Sequence, residues 1–176
     1  MVIVNFTVDE QGQCLGNVKR DGGARRNMFQ TKNDLWRGMA DEGIITHAEF
    51  ADTAFANYYR SVDEFNAPFA PDGAATKAGL RLRSIDTRVV PCPYHAAWTS
   101  PDHGGRTAEE HGKWFVPTTR TWSNSTYSNG LDAGRSAEQK AEIVDELFDR
   151  YAALVAQEPA DHGMDYVHCY AVIEKL

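Results

Sequence analysis

The residues whose types and spacing could carry chemistry are few. Cys92-Pro93-Tyr94-His95 brings two metal-binding side chains close together, and His103 and His111 follow. A structural zinc site wants four ligands in tight pairs. No second pair exists here, so no metal site is expected. Cys14 has no base near it in sequence, and a thiol without one is unactivated. There is no Gly-x-Ser-x-Gly elbow and no convincing triad order, which argues against a hydrolase. His162 and His168 fall at the entry and on one face of the last apolar run. What remains is aromatic. Trp98, Trp114 and Trp122 read either as a lid or interface, or as anchors that tie a loop-rich region to the core.

The elements that must position these residues follow from periodicity. Met1 to Phe6 is an almost unbroken apolar run rich in β-branched residues, closed by Asp9-Glu10-Gln11-Gly12. It reads as a strand buried on both faces, as inside a mostly parallel sheet. A chain opening on such a strand is expected to be the later part of an α/β enzyme. The Gly-rich stretch from Gln11 to Arg26 reads as a loop. A helix is predicted from Asn27 to Asp41, with Met28, Leu35, Trp36 and Met39 on one face and Gly43 as its stop. Thr46-His47-Ala48-Glu49 and Ser61-Val62-Asp63-Glu64 are capping boxes that open two more helices. The first runs toward Asn57 and the second ends before Pro68.

Leu80 to Val90 alternates as a strand, with a bulge near Ser84. Residues 94–135 are rich in Gly, Ser, Thr, His and Trp and read as irregular, with helical turns such as Thr107 to Gly112. Ser136 caps the clearest helix, whose apolar stripe runs from Ile143 to Val155 and which Pro159 ends. Tyr166 to Ile173 is the last strand. About three strands with this many helices imply one α/β domain spanning residues 1–176.

Composition sets outer limits. The 176 residues are 42% hydrophobic and 24% charged, with a formal net charge of -7. A domain of this length buries roughly 70% of its extended surface. An acidic balance argues against nucleic-acid or anionic-membrane partners, which call for a basic face. No apolar stretch approaches the roughly 20 residues of a membrane span. No basic residue precedes the first apolar run and no cleavage site follows it, so no signal peptide is expected. Three scattered cysteines, an odd number, suggest reduced thiols, and the expected location is cytoplasmic.

Four segments, in order, resemble the SABATH carboxyl methyltransferases, which use S-adenosylmethionine. The strand Met1-Val2-Ile3-Val4-Asn5-Phe6 is similar to that family's fifth sheet strand. Phe29 to Ile45, ending in Met39-Ala40-Asp41-Glu42-Gly43-Ile44, resembles its cap helix, which carries an aromatic one turn in and closes on Met-x-x-Glu-Gly-Leu/Ile. Tyr58-Tyr59-Arg60-Ser61-Val62-Asp63-Glu64-Phe65 resembles the segment Tyr-x-Pro-Ser-x-x-Glu-Val, with Arg60 in place of proline. Glu146-Leu147-Phe148-Asp149-Arg150-Tyr151 resembles the late helix before the final strand.

The resemblance covers the family's C-terminal half and implies part of a Rossmann-like methyltransferase sheet. Its last strand would lie antiparallel between the first and the middle one. Residues 27–67 would form a helical substrate cap, and residues 136–176 the closing helix and strand. The family's Gly-rich cofactor loop has no counterpart in this chain. S-adenosylmethionine is therefore expected in the complete enzyme and not on this chain alone.

The implied substrate is a small-molecule carboxylate. It is already ionised at neutral pH, so alignment and exclusion of water matter more than a general base. The implied substrate-binding residues are Phe29, Tyr58 (or its neighbour Tyr59), Tyr127 and Tyr166, with no catalytic residue. Each of these also reads as core or cap packing. The outer edge of the first strand is expected to pair with a second copy, as a homodimer, or to be otherwise covered. The alternative is a stand-alone binding or dimerisation module derived from the same fold.

Overall fold

The computed structural model describes residues 1–16 and 26–176. Most of the stretch expected to be a loop between Gln11 and Arg26 therefore lies outside the described residues. In chain order the elements are β1 (Val2–Val8), α1 (Met28–Asp41), α2 (His47–Asp52), β2 (Arg60–Ser61), α3 (Val62–Asn66), α4 (Ala74–Lys77), β3 (Leu80–Val90), α5 (Pro93–Trp98), α6 (Ala108–Gly130), α7 (Ala137–Gln157) and β4 (Tyr166–Lys175). The chain is mixed α/β and divides into two compact units. One comprises Met1–Gly23, Asn57–Cys92 and Met164–Leu176; the other comprises Ala24–Ala56 and Pro93–Gly163.

The first unit holds a four-stranded mixed sheet in the order β2-β1-β4-β3. β4 runs antiparallel to both of its neighbours, between β1 and β3, where the resemblance places the last strand. The register of β3 against β4 shifts between Leu82 and Ser84, at the expected bulge. β2 is a two-residue addition that the sequence reading did not include. It pairs parallel to β1 only at Thr7 and Val8, and the Thr7 hydroxyl donates to the Arg60 carbonyl at 2.7 Å. Alternation along β4 buries Val167, Cys169, Ala171 and Ile173 on one face. Tyr166, His168 and Tyr170 are only half-buried.

The expectation for β1 is corrected. It is not buried on both faces: Val2 through Phe6 are all exposed, and only Thr7 is buried. The reason is local. β4 pairs one side of β1, while β2 reaches only the end of the other side. Strand pairing covers the edges of β1, but its side-chain faces are buried only by a packed layer, and among the described residues none covers Val2–Phe6.

The second unit is helical. Asn27 caps α1 by accepting from the Gln30 N–H at 3.0 Å. The helix ends in a Schellman turn: Gly43 adopts φ +78°, and the Ile44 N–H reaches back to the Met39 carbonyl at 2.9 Å. Capping boxes open α2 and α7 as expected. The box at Ser61 also forms, in the sheet-bearing unit. α2 stops at Asp52, short of Asn57, because Thr53 turns extended.

The largest departure is α6, a 23-residue helix where irregular chain was expected. Its buried residues are His111, Gly112, Phe115, Val116, Thr119, Ser123, Tyr127 and Gly130, of which Gly112, Thr119, Ser123 and Gly130 are small or carry an aliphatic hydroxyl. Such residues favour caps and turns over helix interiors. Here Thr119, Thr121 and Ser123 donate back to the carbonyls of Val116, Pro117 and Thr119, at 2.7 to 3.0 Å, so their hydroxyls are satisfied within the helix. Close packing does the rest. A Cβ on Gly112 would sit 2.5 Å from the Ala152 carbonyl oxygen of α7, an approach that only glycine permits.

Candidate functional site: an aromatic box over a buried lysine

The helical unit brings three aromatic rings around one amine. Lys32 stands on α1 four residues after Met28 and seven before Met39, inside the helix's apolar stripe. Helical spacing therefore turns it inward, and it is 0% exposed. Its Nζ lies 4.0 Å from the ring centroid of Trp122 and 5.5 Å from those of Phe29 and Phe55. The rings touch one another: Phe29 is 5.6 Å from Trp122 and 6.1 Å from Phe55, and Phe55 is 6.2 Å from Trp122. Beneath them Tyr127 forms the floor, 5.3 Å from Phe55, 5.1 Å from Trp36 and 5.9 Å from Phe148.

Each wall has its own support. Phe29 sits in the first turn of α1, set by the Asn27 cap. Trp122 lies on α6 beside Ser123, whose small side chain leaves room for the lysine stem. The Ser123 Oγ is 3.5 Å from Nζ, longer than an ordinary hydrogen bond. Phe55 depends on the chain after α2. There Thr53 packs against the bare α-carbon of Gly130; a Cβ at that glycine would meet Thr53 Oγ1 at 2.1 Å.

α2 is held by Glu49, which accepts from the N–H groups of Thr46 (2.8 Å) and Asp132 (2.9 Å) and from Arg135 at 2.5 and 2.8 Å. These bonds, Arg135 first, hold the Glu49 carboxyl down to about 2.

The electrostatics of the box are unusual. Among the described residues no carboxylate pairs with Lys32, and burial alone brings its amine down to about 7. Burial also pushes the Tyr127 phenol well above its ordinary value, so it is neutral at physiological pH. The rings offer the ammonium their electron-rich faces, which partly replaces lost hydration. Phe29 and Phe55 are half-buried and Trp122 is 38% exposed, so the lysine lies one ring's thickness below the surface.

The expected site residues divide between the two units. Phe29 and Tyr127 belong to the box, Phe29 in its wall and Tyr127 buried in its floor. Tyr58 and Tyr166 belong to the sheet-bearing unit. Tyr58 is exposed and donates its hydroxyl to Glu64. Its neighbour Tyr59 turns toward the sheet, 6.1 Å from the ring of Phe6. Tyr166 packs 5.5 Å from Phe6 and stacks on His168 at 5.5 Å.

The sequence reading missed Lys32 and Phe55. A lysine within a Met28–Leu35–Met39 stripe was a legible signal; Phe55 lies in a loop and had none.

His95 places Nε2 2.9 Å from the Ala160 carbonyl. His111 is buried with neither ring nitrogen hydrogen-bonded, and burial lowers its pKa. Burial first, with Arg26 next, takes His162 down to about 4. Among the described residues no group of three His, Cys, Asp or Glu side chains could hold a metal ion. Nor is any helix among them long and apolar enough to cross a membrane. No protein-family model matches the chain, and no curated protein sequence matches it.

Proposed function

We propose that this chain is the substrate-capping portion of an S-adenosylmethionine-dependent methyltransferase of the SABATH type, acting on a small-molecule carboxylate. The observation that carries the reading is the placement of β4, antiparallel between β1 and β3. The resemblance implied this order, and neither composition nor periodicity called for it. The bare apolar flank of β1 supports the same reading, because a strand of that composition suits a sheet interior. The helical unit then serves as the cap, with Phe29, Phe55 and Trp122 as the substrate wall.

The chain has no Gly-x-Gly-x-x-Gly pattern, so its residues do not fit the glycine-dependent loop that holds the cofactor. What these residues contribute is orientation and dryness: an apolar wall that fixes a small acceptor and keeps water from it.

Titration of the 176-residue chain checks this division of labour. Small-molecule carboxylates are expected to move the indole N–H resonance of Trp122, while S-adenosylmethionine gives no saturable heat at micromolar concentration. Micromolar binding of S-adenosylmethionine would overturn the assignment to the substrate side, and an indole that answers to no carboxylate would remove the substrate role.

The second reading, a stand-alone binding or dimerisation module, is favoured by the exposed Val2–Phe6 edge alone. Its dimerisation form requires a second copy along that edge. A clean monomer in sedimentation, with freely exchanging amides at Val2 and Val4, would dismiss that form.

A further inference from the structure

A buried ammonium without a counter-charge is costly, and among the described residues no carboxylate pairs with Lys32. The carboxylates on the surrounding elements are engaged elsewhere or open to water. On α1, Asp34 accepts from Gln30 at 2.6 Å. On α2, Glu49 is taken up by Arg135 and two backbone N–H groups, and Asp52 is exposed. On α7, Asp145 pairs with Arg120 of α6, and Glu146 with Arg150. The ring faces of Phe29, Phe55 and Trp122 attract a cation and repel an anion. Among the described residues, the positive charge that an anion entering this box meets is the lysine Nζ.

We propose that Lys32 is the counter-ion for the charged group of a small organic anion received beneath the rings of Phe29, Phe55 and Trp122. The proposal rests on the reading of those rings as a substrate wall, and adds what holds the substrate and fixes its direction. The anionic group lies inward at Nζ and the apolar body lies among the rings, so the carboxylate that accepts the methyl group is a second one at the outer end of the substrate. Trp122 is 38% exposed and Phe29 and Phe55 are half-buried, so the ligand enters by displacing these rings from above the fully buried Nζ.

One consequence sets this site apart from a neutral pocket. Burial brings the amine down to about 7, so at pH 8 most of it is uncharged before a ligand binds. A bound anion favours the ammonium, so the lysine takes up a proton as the ligand enters. At pH 8 binding should consume close to one proton, and affinity should fall as the pH rises further.

The test uses the 176-residue chain, benzoate as the probe and benzamide as its uncharged twin. Binding is followed through the Trp122 indole and the Lys32 ε-carbon resonance, with proton uptake from calorimetry in buffers of different ionisation enthalpy. The expected result is a rise in the Lys32 titration midpoint with benzoate. Lys32→Met should weaken benzoate binding by roughly tenfold or more and leave benzamide binding within about twofold. Equal benzoate binding by wild type and K32M, with Trp122 responding in both, overturns the role of Lys32 and leaves the aromatic wall standing. An indole that answers to neither ligand at tens of millimolar overturns both.

Discussion

Lys32→Met is expected to stabilise the protein by about 3 kcal/mol at pH 7, an unusual direction for a substitution at a fully buried position. The cause is the amine's burial. Its folded-state value of about 7 lies well below the ordinary lysine value of 10.5. Between those two values the unfolded chain binds more protons than the folded one, so wild-type stability rises with pH across that window. At about 1.4 kcal/mol per pH unit the full effect is on the order of 5 kcal/mol, and methionine forgoes the cation–π attraction, so it recovers only part of this at pH 7. K32M should lose the rise between pH 7 and pH 10. Urea unfolding followed by tryptophan fluorescence at both pH values checks this. Equal midpoints at pH 7, or an unchanged pH slope, would mean that the amine is not buried as described. A more stable variant that no longer holds an anion would show a binding site held at the expense of stability.

Glu49→Gln should act in the opposite sense, costing about 3 kcal/mol. Glu49 is 4% exposed and ties α2 to the turn after α6 through Asp132 and Arg135. The neutral amide keeps the size of the side chain but leaves the Arg135 guanidinium without its carboxylate. Arg135 is partly open to water and can relax toward it, which holds the cost near the lower end of the range for broken buried pairs.

The pH dependence has a definite sign. The Glu49 value of about 2 lies below the ordinary 4.5, so its contribution is whole above pH 4.5 and is lost as the pH falls toward 2. E49Q should therefore be destabilised at pH 7 and converge on wild type near pH 2. Because Phe55 follows α2 by only a few residues, the variant should also broaden the Trp122 indole resonance. Equal stability at pH 7 would show that the clamp is unimportant.

How much of this was legible beforehand depends on which residues carry each element. α1, α7, β3 with its bulge, and β4 announce themselves through caps, stops and alternation, because their apolar residues are large and their boundaries are marked by Asn27, Gly43, Ser136 and Pro159. α6 was hidden because half of its buried residues are Gly, Thr or Ser, which break up the apolar periodicity of Phe115, Val116 and Tyr127, and because Pro117 stands within it. Its helix depends on contact with α7, which a local pattern does not report. β1 shows the converse. Its composition speaks for burial, while its exposure records which neighbours are present. Of the aromatic box, Phe29 was legible through the resemblance, and Lys32 through its place in the α1 stripe. Phe55 arrives through the Thr53–Gly130 approach, and nothing in its local sequence indicates that contact.

The central claim is that the helical unit caps a carboxylate acceptor for methyl transfer. The most direct measurement takes the protein encoded by the complete reading frame around this sequence and supplies it with methyl-labelled S-adenosylmethionine and a panel of small carboxylic acids. The expected result is label in a methyl ester, with Phe29→Ala and Lys32→Met each reducing the yield. A protein that binds the cofactor yet labels no carboxylate, or labels only uncharged acceptors, would contradict it.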